Sequence, residues 1–479
     1  MVIEVHPSFC KVMNASADEL KNLREYLSIE VPGARYTQLY RKRIWDGRKS
    51  FFYRPASKFP IGFLNRIKEN FYLTDNQIID KRRVIDFKFM MPKLNGIELR
   101  GYQKDTILNC MEYKNCIIES ATNSGKSAVI AGLCKVFKDF KVLILIQRIE
   151  LLRQLRTMIE DMSGLTTGFV AAFDYDVRRN IVVAMVQTLE KRIEIDEDIT
   201  YFYKNADILI VDEAHHVKSA THQKLLAGSG AVMRFGFSGT IPDEDTYDGW
   251  MCRMYIGDVA VKVSNDELVQ QGISAKPLIT MIENDVSFVN HFSNRVKAVD
   301  NIDEKRKIAQ TVFRDVVKEG IVRNKVRNNI ITDILKQEQK VGRSVLVIVE
   351  MIEHGDELLK LCKEEKLNVR YVQGNSPDRR DLIRGFSEGL FPILIATVIV
   401  DEGLDIPRIG ALVLASGKKS RRQYLQRIGR SLRAKKQGEN VVYIYDIYDT
   451  GNKYLEKHSK IRKKLYLAEG FDVKIIGKT

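Results

Sequence analysis

The sequence predicts an α/β protein in which two parallel-sheet blocks follow a small α+β module. From about residue 93, short apolar runs such as "CIIES", "KVLILIQ" and "ADILIVD" alternate with segments of helical length. This alternation is typical of a parallel sheet with helices on both faces. It lapses between about 285 and 340 and then resumes, which indicates two blocks. Residues 1–92 differ in composition, because they are basic and rich in aromatic side chains.

Length and composition restrict the class of protein. A chain of 479 residues with 44% apolar and 29% charged residues has room for about three globular domains. Its longest apolar runs are too short to span a bilayer, and its N-terminus lacks the features of a signal peptide. Six cysteines without a C-x-x-C pair predict reduced thiols, no structural zinc and a cytoplasmic location, which means the host cytoplasm if the chain is phage-encoded.

The net charge of +15 fits either simple solubility or a polyanionic partner, so the positions of the charges must decide. Between Arg35 and Lys68 there are ten basic residues and one acidic residue, Asp46, with aromatic residues between them. Basic side chains neutralise phosphates, and exposed aromatic rings stack on unpaired bases. The predicted DNA contacts of this module are Arg41, Arg43, Arg48 and Lys49.

The aromatic residues of this stretch have an alternative role as the core of the module. We expect both roles, with Trp45 in the core and the basic residues exposed. Asp46-Gly47 is a good sequence for a hairpin turn, which would put alternate residues on the buried face.

The stretch "IIESATNSGKSAVIAGL", residues 117–133, predicts a strand, a tight loop and the start of a helix. It fits G-x-x-x-x-G-K-[ST] except at Ser120, and Gly125 still permits a close backbone approach. Such a loop directs backbone N–H groups and the positive end of a helix at an anion. Lys126 would reach the β- and γ-phosphates, and the Ser127 hydroxyl would ligate Mg²⁺. The predicted ATP-binding residues here are Thr122, Ser124, Gly125, Lys126 and Ser127.

The stretch "ADILIVDEAHH" places Asp212 and Glu213 at the end of an apolar strand. Acidic residues often end strands without a further role. Following a G-K-S loop in the same block, however, Asp212 is suited to hold Mg²⁺ and Glu213 to take a proton from an attacking water. The pair therefore predicts ATP hydrolysis. The two histidines that follow, His215 and His216, are expected to have a coupling or structural role.

The stretch "QYLQRIGRSLR" spaces Arg427, Arg430 and Arg433 at i, i+3 and i+6, close to one face of a helix. A solvated basic helix is the common alternative. The absence of interspersed acidic residues favours arginines directed at a phosphate. If the two blocks face each other, Arg430 and Arg433 could contact ATP held by the first block.

Taken in order, "ATNSGKS", "VDEAHH", "FSGT", "ATVIVDEGLDIP" and "QRIGRSLR" resemble the motifs of the superfamily 2 helicases and translocases. The resemblance covers about 93–450 and implies two tandem RecA-like motor domains that use ATP and Mg²⁺. The stretch "RIWDGRKSFF" at 43–52 is similar to one in the phage UvsW-type branch-migrating helicases.

The same resemblance implies roles for residues that lie outside the phosphate loop and the acidic pair. Gln103, in "LRGYQKD", matches the residue that reads adenine, and "FSGT" matches the motif that couples hydrolysis to domain movement. The remaining implied positions are Arg148, Thr188 and Thr397 near the nucleic-acid backbone, Gly403 and Asp405 near the nucleotide, and Gln426 near the attacking water.

We therefore predict an N-terminal DNA-binding domain at 1–92, motor domains at 93–265 and 266–455, and a basic C-terminal tail at 456–479. The predicted protein is a monomeric ATP-dependent DNA helicase or translocase. It acts on forked, branched or partly single-stranded DNA, and the resemblance adds RNA–DNA hybrids. Three alternatives stay open: an RNA helicase or RNA-stimulated ATPase, a DNA-binding scaffold with weak ATPase, and a restriction-enzyme motor subunit.

The helical region at 300–340 also has two interpretations. Its basic residues could line a nucleic-acid channel, or the helix could support the second block. The residues concerned are Arg323, Lys325, Arg327 and Lys336.

Overall fold

The structure, a computed structural model, describes residues 1–287, 314–374, 376–397, 409–417 and 440–477. It divides into two compact units, Met1–Val263 and Ser264–Thr479. Each unit contains one large, mainly parallel sheet with helices in the connections, and the first unit begins with a small α+β module. The predicted fold class is confirmed.

The N-terminal module is built on a four-stranded sheet of order β5-β2-β1-β6, in which only β1 and β6 are parallel. A separate antiparallel pair is formed by β3 and β4. The strands are β1 (Val2–Val5), β2 (Phe9–Met13), β3 (Ser28–Glu30), β4 (Arg48–Ser50), β5 (Lys58–Pro60) and β6 (Ile78–Asp80). The helices are α1 (Ala17–Tyr26), α2 (Gln38–Arg41) and α3 (Leu64–Asn70), with 3₁₀ turns at Ala34–Tyr36, Arg54–Ala56, Ile61–Phe63 and Asp75–Gln77.

The predicted hairpin at Asp46-Gly47 is wrong. Strands β3 and β4 pair with each other, but residues 31–47 separate them and form an excursion from the module. Asp46 Oδ1 accepts from the backbone N–H of Arg48, and the Gly47 carbonyl accepts from the N–H of Val31. Asp46-Gly47 therefore closes the end of this excursion, where a short polar side chain can bond its own backbone.

Trp45 is also not a core residue of the module, contrary to prediction. Its indole is half-buried, and its Nε1–H donates to the carbonyl of Arg48 at 2.7 Å. Phe51, Phe52 and Phe59 do lie in the buried core of the module, as expected.

This core continues into the first α/β block. Three residues of the segment 250–254, Trp250, Met251 and Met254, belong to the same buried cluster as Phe51 and Phe63. The Trp250 ring lies 5.5 Å from that of Phe51 and 5.1 Å from that of Phe63, between centroids. The N-terminal module and the first block therefore share one hydrophobic core.

An extended strap, residues 81–98, connects the module to the block. Its side chains alternate, and Ile85, Phe87, Phe89 and Met91 pack on the core of the block. Arg82 adds a hydrogen bond from its guanidinium to the carbonyl of Val232 at 2.8 Å. The strap is therefore held along its length although it forms no regular strand.

The sheet of the first block has the order β10-β9-β11-β8-β12-β13-β7-β14, with every neighbouring pair parallel except β10 and β9. Its strands are β7 (Asn115–Ser120), β8 (Val142–Ile146), β9 (Thr167–Val170), β10 (Tyr175–Asp176), β11 (Ile181–Met185), β12 (Ile208–Asp212), β13 (Met233–Ser238) and β14 (Val259–Val263). Its helices are α4 (Gly101–Tyr113), α5 (Lys126–Val136), α6 (Ile149–Ser163), α7 (Val186–Arg192), α8 (Glu197–Lys204), α9 (Ala220–Gly228) and α10 (Tyr247–Arg253), with a 3₁₀ helix at Ala214–Lys218.

The second unit has a fully parallel sheet of order β17-β18-β16-β19-β20-β15-β21. Its strands are β15 (Lys276–Asn284), β16 (Val345–Val349), β17 (Val369–Val372), β18 (Ile393–Thr397), β19 (Ala411–Leu414), β20 (Val441–Asp449) and β21 (Asp472–Ile476). Its helices are α11 (Asn265–Gln270), α12 (Lys325–Lys340), α13 (Ile352–Glu364), α14 (Arg379–Glu388) and α15 (Lys453–Ala468), with a π-helical turn at Lys318–Val322.

The basic tail predicted at 456–479 is built into this second sheet. Strand β21 pairs with β15, and α15 buries Arg462, which bonds the carboxylate of Asp446 at 2.7 and 3.1 Å. Tyr466 donates to the same carboxylate at 2.8 Å. The tail showed no apolar core pattern because several of its buried positions are polar and paired.

Helix α12 supports the sheet, in agreement with one of the two interpretations of 300–340. Arg327 is fully buried and bonds Asp449 at 3.2 Å and the carbonyl of Ala415 at 2.8 Å. Lys336 pairs with Glu365, the residue that follows the neighbouring helix α13. Residues 300–313 of this region lie outside the described residues. Among the described residues, no helix combines the length and apolar character needed to cross a membrane.

Candidate nucleotide and nucleic-acid sites

Five predicted motifs follow five parallel strands of the first sheet. The phosphate loop follows β7, Arg148 follows β8, Thr188 follows β11, Asp212 ends β12, and Gly239 follows β13. Because the carboxyl ends of parallel strands meet at one edge, the fold brings these residues to a common rim, where α/β proteins bind ligands. In the order β11-β8-β12-β13-β7, the strand before Arg148 is next to the strand that ends in Asp212, and the strand before Thr188 is one place further along.

The phosphate loop keeps its shape with serine in place of the first glycine. Ser120 is buried, its φ is not positive, and its hydroxyl accepts from the Ser124 hydroxyl at 3.1 Å. The Ser124 carbonyl accepts from the Tyr102 hydroxyl at 2.7 Å and from the Gln103 amide at 2.9 Å. The loop is therefore bonded across its own width and to helix α4.

Gly125 has a stronger requirement for glycine. Its φ is +77°, and a Cβ added there would lie 2.4 Å from Gln103 Nε2. Helix α5 begins at the next residue, Lys126, so its free N–H groups point toward the loop. The backbone thus forms a cradle that a side chain at 125 would fill.

Gln103, expected to read adenine, is 3% exposed and already bonded at both ends of its amide. Its Oε1 accepts from the N–H of Arg100 at 2.9 Å, and its Nε2 donates to the Ser124 carbonyl at 2.9 Å. An amide has further hydrogen-bonding capacity, so one N–H and one lone pair are left for a ligand. In this structure Gln103 ties the start of α4 to the phosphate loop.

Lys126, Asp212 and Glu213 form a charged cluster at the rim. Burial and the negative charge of Glu213 raise the pKa of Asp212, while Lys126 opposes the shift. Burial would also raise the pKa of Glu213, but the positive charge of Lys126 and the contact with His215 lower it below its usual value. Glu213 adopts a left-handed backbone conformation with φ of 53°, a strained geometry that is frequent at functional sites.

His215 links this cluster to the "FSGT" motif. Its Nδ1 lies 3.2 Å from Glu213 Oε2 and 2.8 Å from Ser238 Oγ. Ser238 in turn donates to the carbonyl of Thr240 at 3.0 Å. A change in the position of Glu213 would therefore alter the contacts that hold the loop after β13.

The residues fit a magnesium–nucleotide ligand by their chemistry. The cradle at Gly125 and the start of α5 suit a phosphate, and Lys126 supplies a positive charge beside it. The Ser127 hydroxyl and the Asp212 carboxylate are the oxygen ligands that Mg²⁺ prefers. Thr122, in the loop, and Ser127, in the first turn of α5, are both half-buried.

The predicted strand contacts differ in exposure. Arg148 is exposed and Thr188 is half-buried, both at the rim of the first sheet. Thr397 ends β18 in the second unit, is buried, and its hydroxyl has no hydrogen-bond partner among the residues that the structure describes. The other predicted residues of the second block lie outside the described residues: Gly403, Asp405, Gln426, Arg427, Arg430 and Arg433.

Three of the four basic contacts predicted in the N-terminal module are exposed. Arg41 and Arg43 lie on the excursion 31–47, and Arg48 begins β4 with its guanidinium donating to the carbonyl of Ser28. Exposed Tyr36 and Ile44, at 67% and 70%, lie on the same excursion. This surface therefore combines positive charge with apolar side chains open to solvent.

Lys49 lies elsewhere. Its ammonium is 3.3 Å from the Tyr247 hydroxyl and 3.6 Å from Met251 Sδ, over the rings of Phe51 and Tyr247. It therefore packs between the module and α10, and this position does not suit the predicted DNA contact.

Sequence reasoning missed residues that bond the motifs to one another. Tyr102, Ser238 and His222 carry hydrogen bonds between different elements of the block, and Trp250 joins the module to the block. Tyr102 and Ser238 stand inside recognisable motifs. His222 and Trp250 gave no signal, because each depends on a neighbour distant in sequence.

Comparisons with known proteins agree with this arrangement. Residues 96–243 match the family model described as type III restriction enzyme, res subunit, and residues 326–435 match the helicase conserved C-terminal domain. The chain is similar to the ATP-dependent DNA helicase uvsW of Enterobacteria phage T4, at 23% identity over 94% of both chains. It is 22% identical to the DNA 3'-5' translocase XPB2 of Sulfurisphaera tokodaii, over 76% of this chain and 85% of that one.

A solved structure of S. cerevisiae Dbp5, bound to RNA and ADP BeF3, has a similar fold. It gives a TM-score of 0.51 at 16% identity, covering 79% of this chain and 89% of that chain. At this identity the likeness concerns the fold alone, and it agrees with two RecA-like domains.

Proposed function

Since this chain belongs to the superfamily 2 helicases, we propose that it is an ATP-dependent DNA helicase or translocase that remodels forked and branched DNA. The observation that carries this proposal is the rim of the first sheet, which carries the Lys126–Asp212–Glu213 cluster, Arg148 after the adjacent strand β8 and Thr188 after the next strand, β11. The proposed site of ATP hydrolysis and the proposed nucleic-acid contacts would then lie on the same edge of the sheet. The relatives named above as a DNA helicase and a DNA translocase favour DNA.

ATP would be bound at the phosphate loop, with Gln103 at the adenine and with Thr122, Ser124 and Gly125 around the phosphates. Lys126 would stabilise the negative charge that develops on the γ-phosphate, and Ser127 and Asp212 would hold Mg²⁺. The metal supplies charge neutralisation at the phosphates. Glu213, kept ionised by Lys126, orients the attacking water and accepts its proton.

The sequence motifs of the second block supply the rest of the proposed machinery. By the motif resemblance, Gly403 and Asp405 would approach the nucleotide, Gln426 would contact the attacking water, and Arg430 and Arg433 would bind the γ-phosphate. Thr397 would contact the backbone of the bound strand, which agrees with a buried hydroxyl that has no hydrogen-bond partner within the described part of the chain. We propose 93–265 and 266–455 as the two motor domains, with β21 of the segment 456–479 completing the sheet of the second.

The N-terminal domain, proposed at 1–92, grips duplex or junction DNA through its excursion. Arg41 and Arg43 would neutralise phosphates, and Arg48 would add a third contact from the base of the excursion. Tyr36 is exposed enough to stack on an unpaired base. Because the domain shares its core with the first block, the gripped DNA would move together with that block. Lys49 packs against Tyr247 of α10 and is not part of this surface.

The proposal is tested by steady-state ATPase rates without polymer and with single-stranded, duplex, forked and four-way-junction DNA and structured RNA. We expect the strongest stimulation by forked and four-way DNA. Lys126→Ala should abolish turnover, whereas Lys138→Ala, an exposed lysine after α5, should keep the wild-type rate. Turnover surviving in Lys126→Ala would contradict the loop assignment. Strongest stimulation by RNA would identify an RNA helicase instead, and a lack of turnover in wild type would leave a DNA-binding scaffold.

A further inference from the structure

His222 connects two loops at the rim of the first sheet. It lies in α9, is 1% exposed, and both of its ring nitrogens are bonded. Nδ1 lies 2.8 Å from Ser219 Oγ, and Nε2 lies 3.2 Å from Gln147 Nε2. Gln147 is the residue that follows β8 and precedes Arg148.

These partners fix the protonation state of the ring. An amide nitrogen only donates, so Nε2 of His222 must accept the hydrogen bond from Gln147. The proton of the neutral imidazole is then on Nδ1 and is donated to Ser219. Burial, assisted by the charge of His215, lowers the pKa of His222 to about 4, which agrees with a neutral ring.

On its other side the ring continues toward the acidic pair. His222 stacks on His216 with 6.4 Å between ring centroids, and His216 lies 4.1 Å from His215. His215 Nδ1 contacts both Glu213 and Ser238. A continuous line of buried and half-buried rings therefore runs from the carboxylate proposed to activate water to the loop that carries Arg148.

We propose that His222 is a positioning residue that couples nucleic-acid contact at Arg148 to the placement of Glu213. Strands β8 and β12 are parallel neighbours, and a close-packed side chain bonded between the loops that follow them resists independent movement of either loop. This inference rests on the proposed function. It adds a residue outside the recognised motifs to the path between the strand contact and the hydrolytic site.

The test compares the ratio of DNA-stimulated to basal ATPase rate in four proteins. His222→Phe keeps the ring and its stacking but removes both hydrogen bonds. His222→Gln restores an oxygen acceptor for Gln147, and Gln147→Ala removes the same bond from the other side. We expect His222→Phe and Gln147→Ala to lower the ratio about fivefold or more, a typical size for coupling between sites. His222→Gln should recover part of the ratio.

The outcomes separate this inference from the proposed function. If the wild-type enzyme is stimulated by DNA and both variants keep its ratio, His222 does not couple the two sites and the inference is overturned alone. A parallel loss of basal and stimulated rates, with the ratio unchanged, shows a merely structural role and also overturns it. If DNA does not stimulate the wild-type enzyme, both proposals fail. Should His222→Phe not fold, Gln147→Ala decides by the same ratio.

Discussion

Gly62→Ala tests whether the N-terminal module and the first block share one core. A Cβ at residue 62 would lie 1.9 Å from the carbonyl oxygen of Arg253 and 2.9 Å from backbone atoms of Met254 and Gly257. All three are backbone atoms, so no change of rotamer can make room. Gly62 has no positive φ, so alanine itself is not strained there and the effect comes from the contact alone.

The size of the effect follows from the geometry. A Cβ contact shorter than 3.0 Å is essentially never observed, so the two segments must separate by more than 1 Å. That movement also breaks the hydrogen bond from Gly62 N–H to the Met254 carbonyl, now 2.9 Å, and loosens Phe63 against Trp250. Overpacking costs about 1–3 kcal/mol and the hydrogen bond about 1 kcal/mol more. We expect a loss of about 3 kcal/mol, which lowers Tm by about 8 °C in a unit of this size.

The assay is scanning calorimetry of wild type, Gly62→Ala and the matched control Gly101→Ala. Gly101 is exposed at the start of α4, has no positive φ, and no atom lies within 4 Å of a Cβ built there. The Tm of Gly101→Ala should equal that of wild type or exceed it slightly, because alanine forms helices better than glycine does. A Tm for Gly62→Ala within about 2 °C of wild type would refute the reasoning, since a real shared core could not accept the methyl group at that cost.

Three further predictions follow from the site, the excursion and the second unit. Glu213→Gln should lower the ATP turnover rate about 10²-fold or more while nucleotide binding, followed by fluorescent-analogue titration, stays near wild type, because only the proton acceptor is lost; a turnover rate within threefold of wild type would contradict its role. Arg41→Ala combined with Arg43→Ala should lower the slope of log K against log salt for duplex DNA by about 2, whereas Lys49→Ala should leave that slope unchanged; equal slopes for both variants would contradict the excursion surface. Burial lowers the pKa of His354 from 6.5 to about 3, so the unfolded chain takes up a proton at this histidine before the folded chain does, and the stabilising contribution present above pH 6.5 is lost as pH falls toward 3. Between pH 7 and pH 5, His354→Gln should therefore lose about 2 kcal/mol less free energy of unfolding than wild type in urea titrations. Equal losses would show that His354 is not buried in its neutral form.

The sequence predicted the two sheets and their functional edges because these depend on local patterns. Apolar runs ending in polar or glycine-rich loops define strands, and parallel pairing then brings Asp212 and Arg148 to one rim without further information. The strap at 81–98 also left a readable signal, an alternation from Ile85 to Met91. Its extended chain packs on the first block rather than pairing in a sheet, so only the structure shows that it attaches the N-terminal module to that block.

The errors arose where a long-range partner overrides a local preference. Asp46-Gly47 has good hairpin chemistry, yet β4 pairs with β3 across an excursion that no turn propensity could reveal. The tail predicted at 456–479 showed no core pattern because the buried face of α15 includes Arg462, and burial of an arginine is favourable only when a carboxylate such as Asp446 is placed opposite. Lys49 was predicted to contact DNA from its neighbours in sequence, and only the structure shows that its ammonium packs against Tyr247 in α10.

The serine in the phosphate loop shows how the two kinds of information combine. A consensus glycine can be required by a positive φ, by a neighbouring group that leaves no room for a side chain, or by neither. The sequence does not distinguish these cases. At residue 125 both demands are present, because φ is +77° and Gln103 occupies the space of a side chain. At residue 120 neither is seen, since φ is not positive and the hydroxyl points inward to Ser124. The departure from the motif therefore falls at the position where the fold can accept a side chain, and the hydroxyl adds a hydrogen bond across the loop that a glycine could not make.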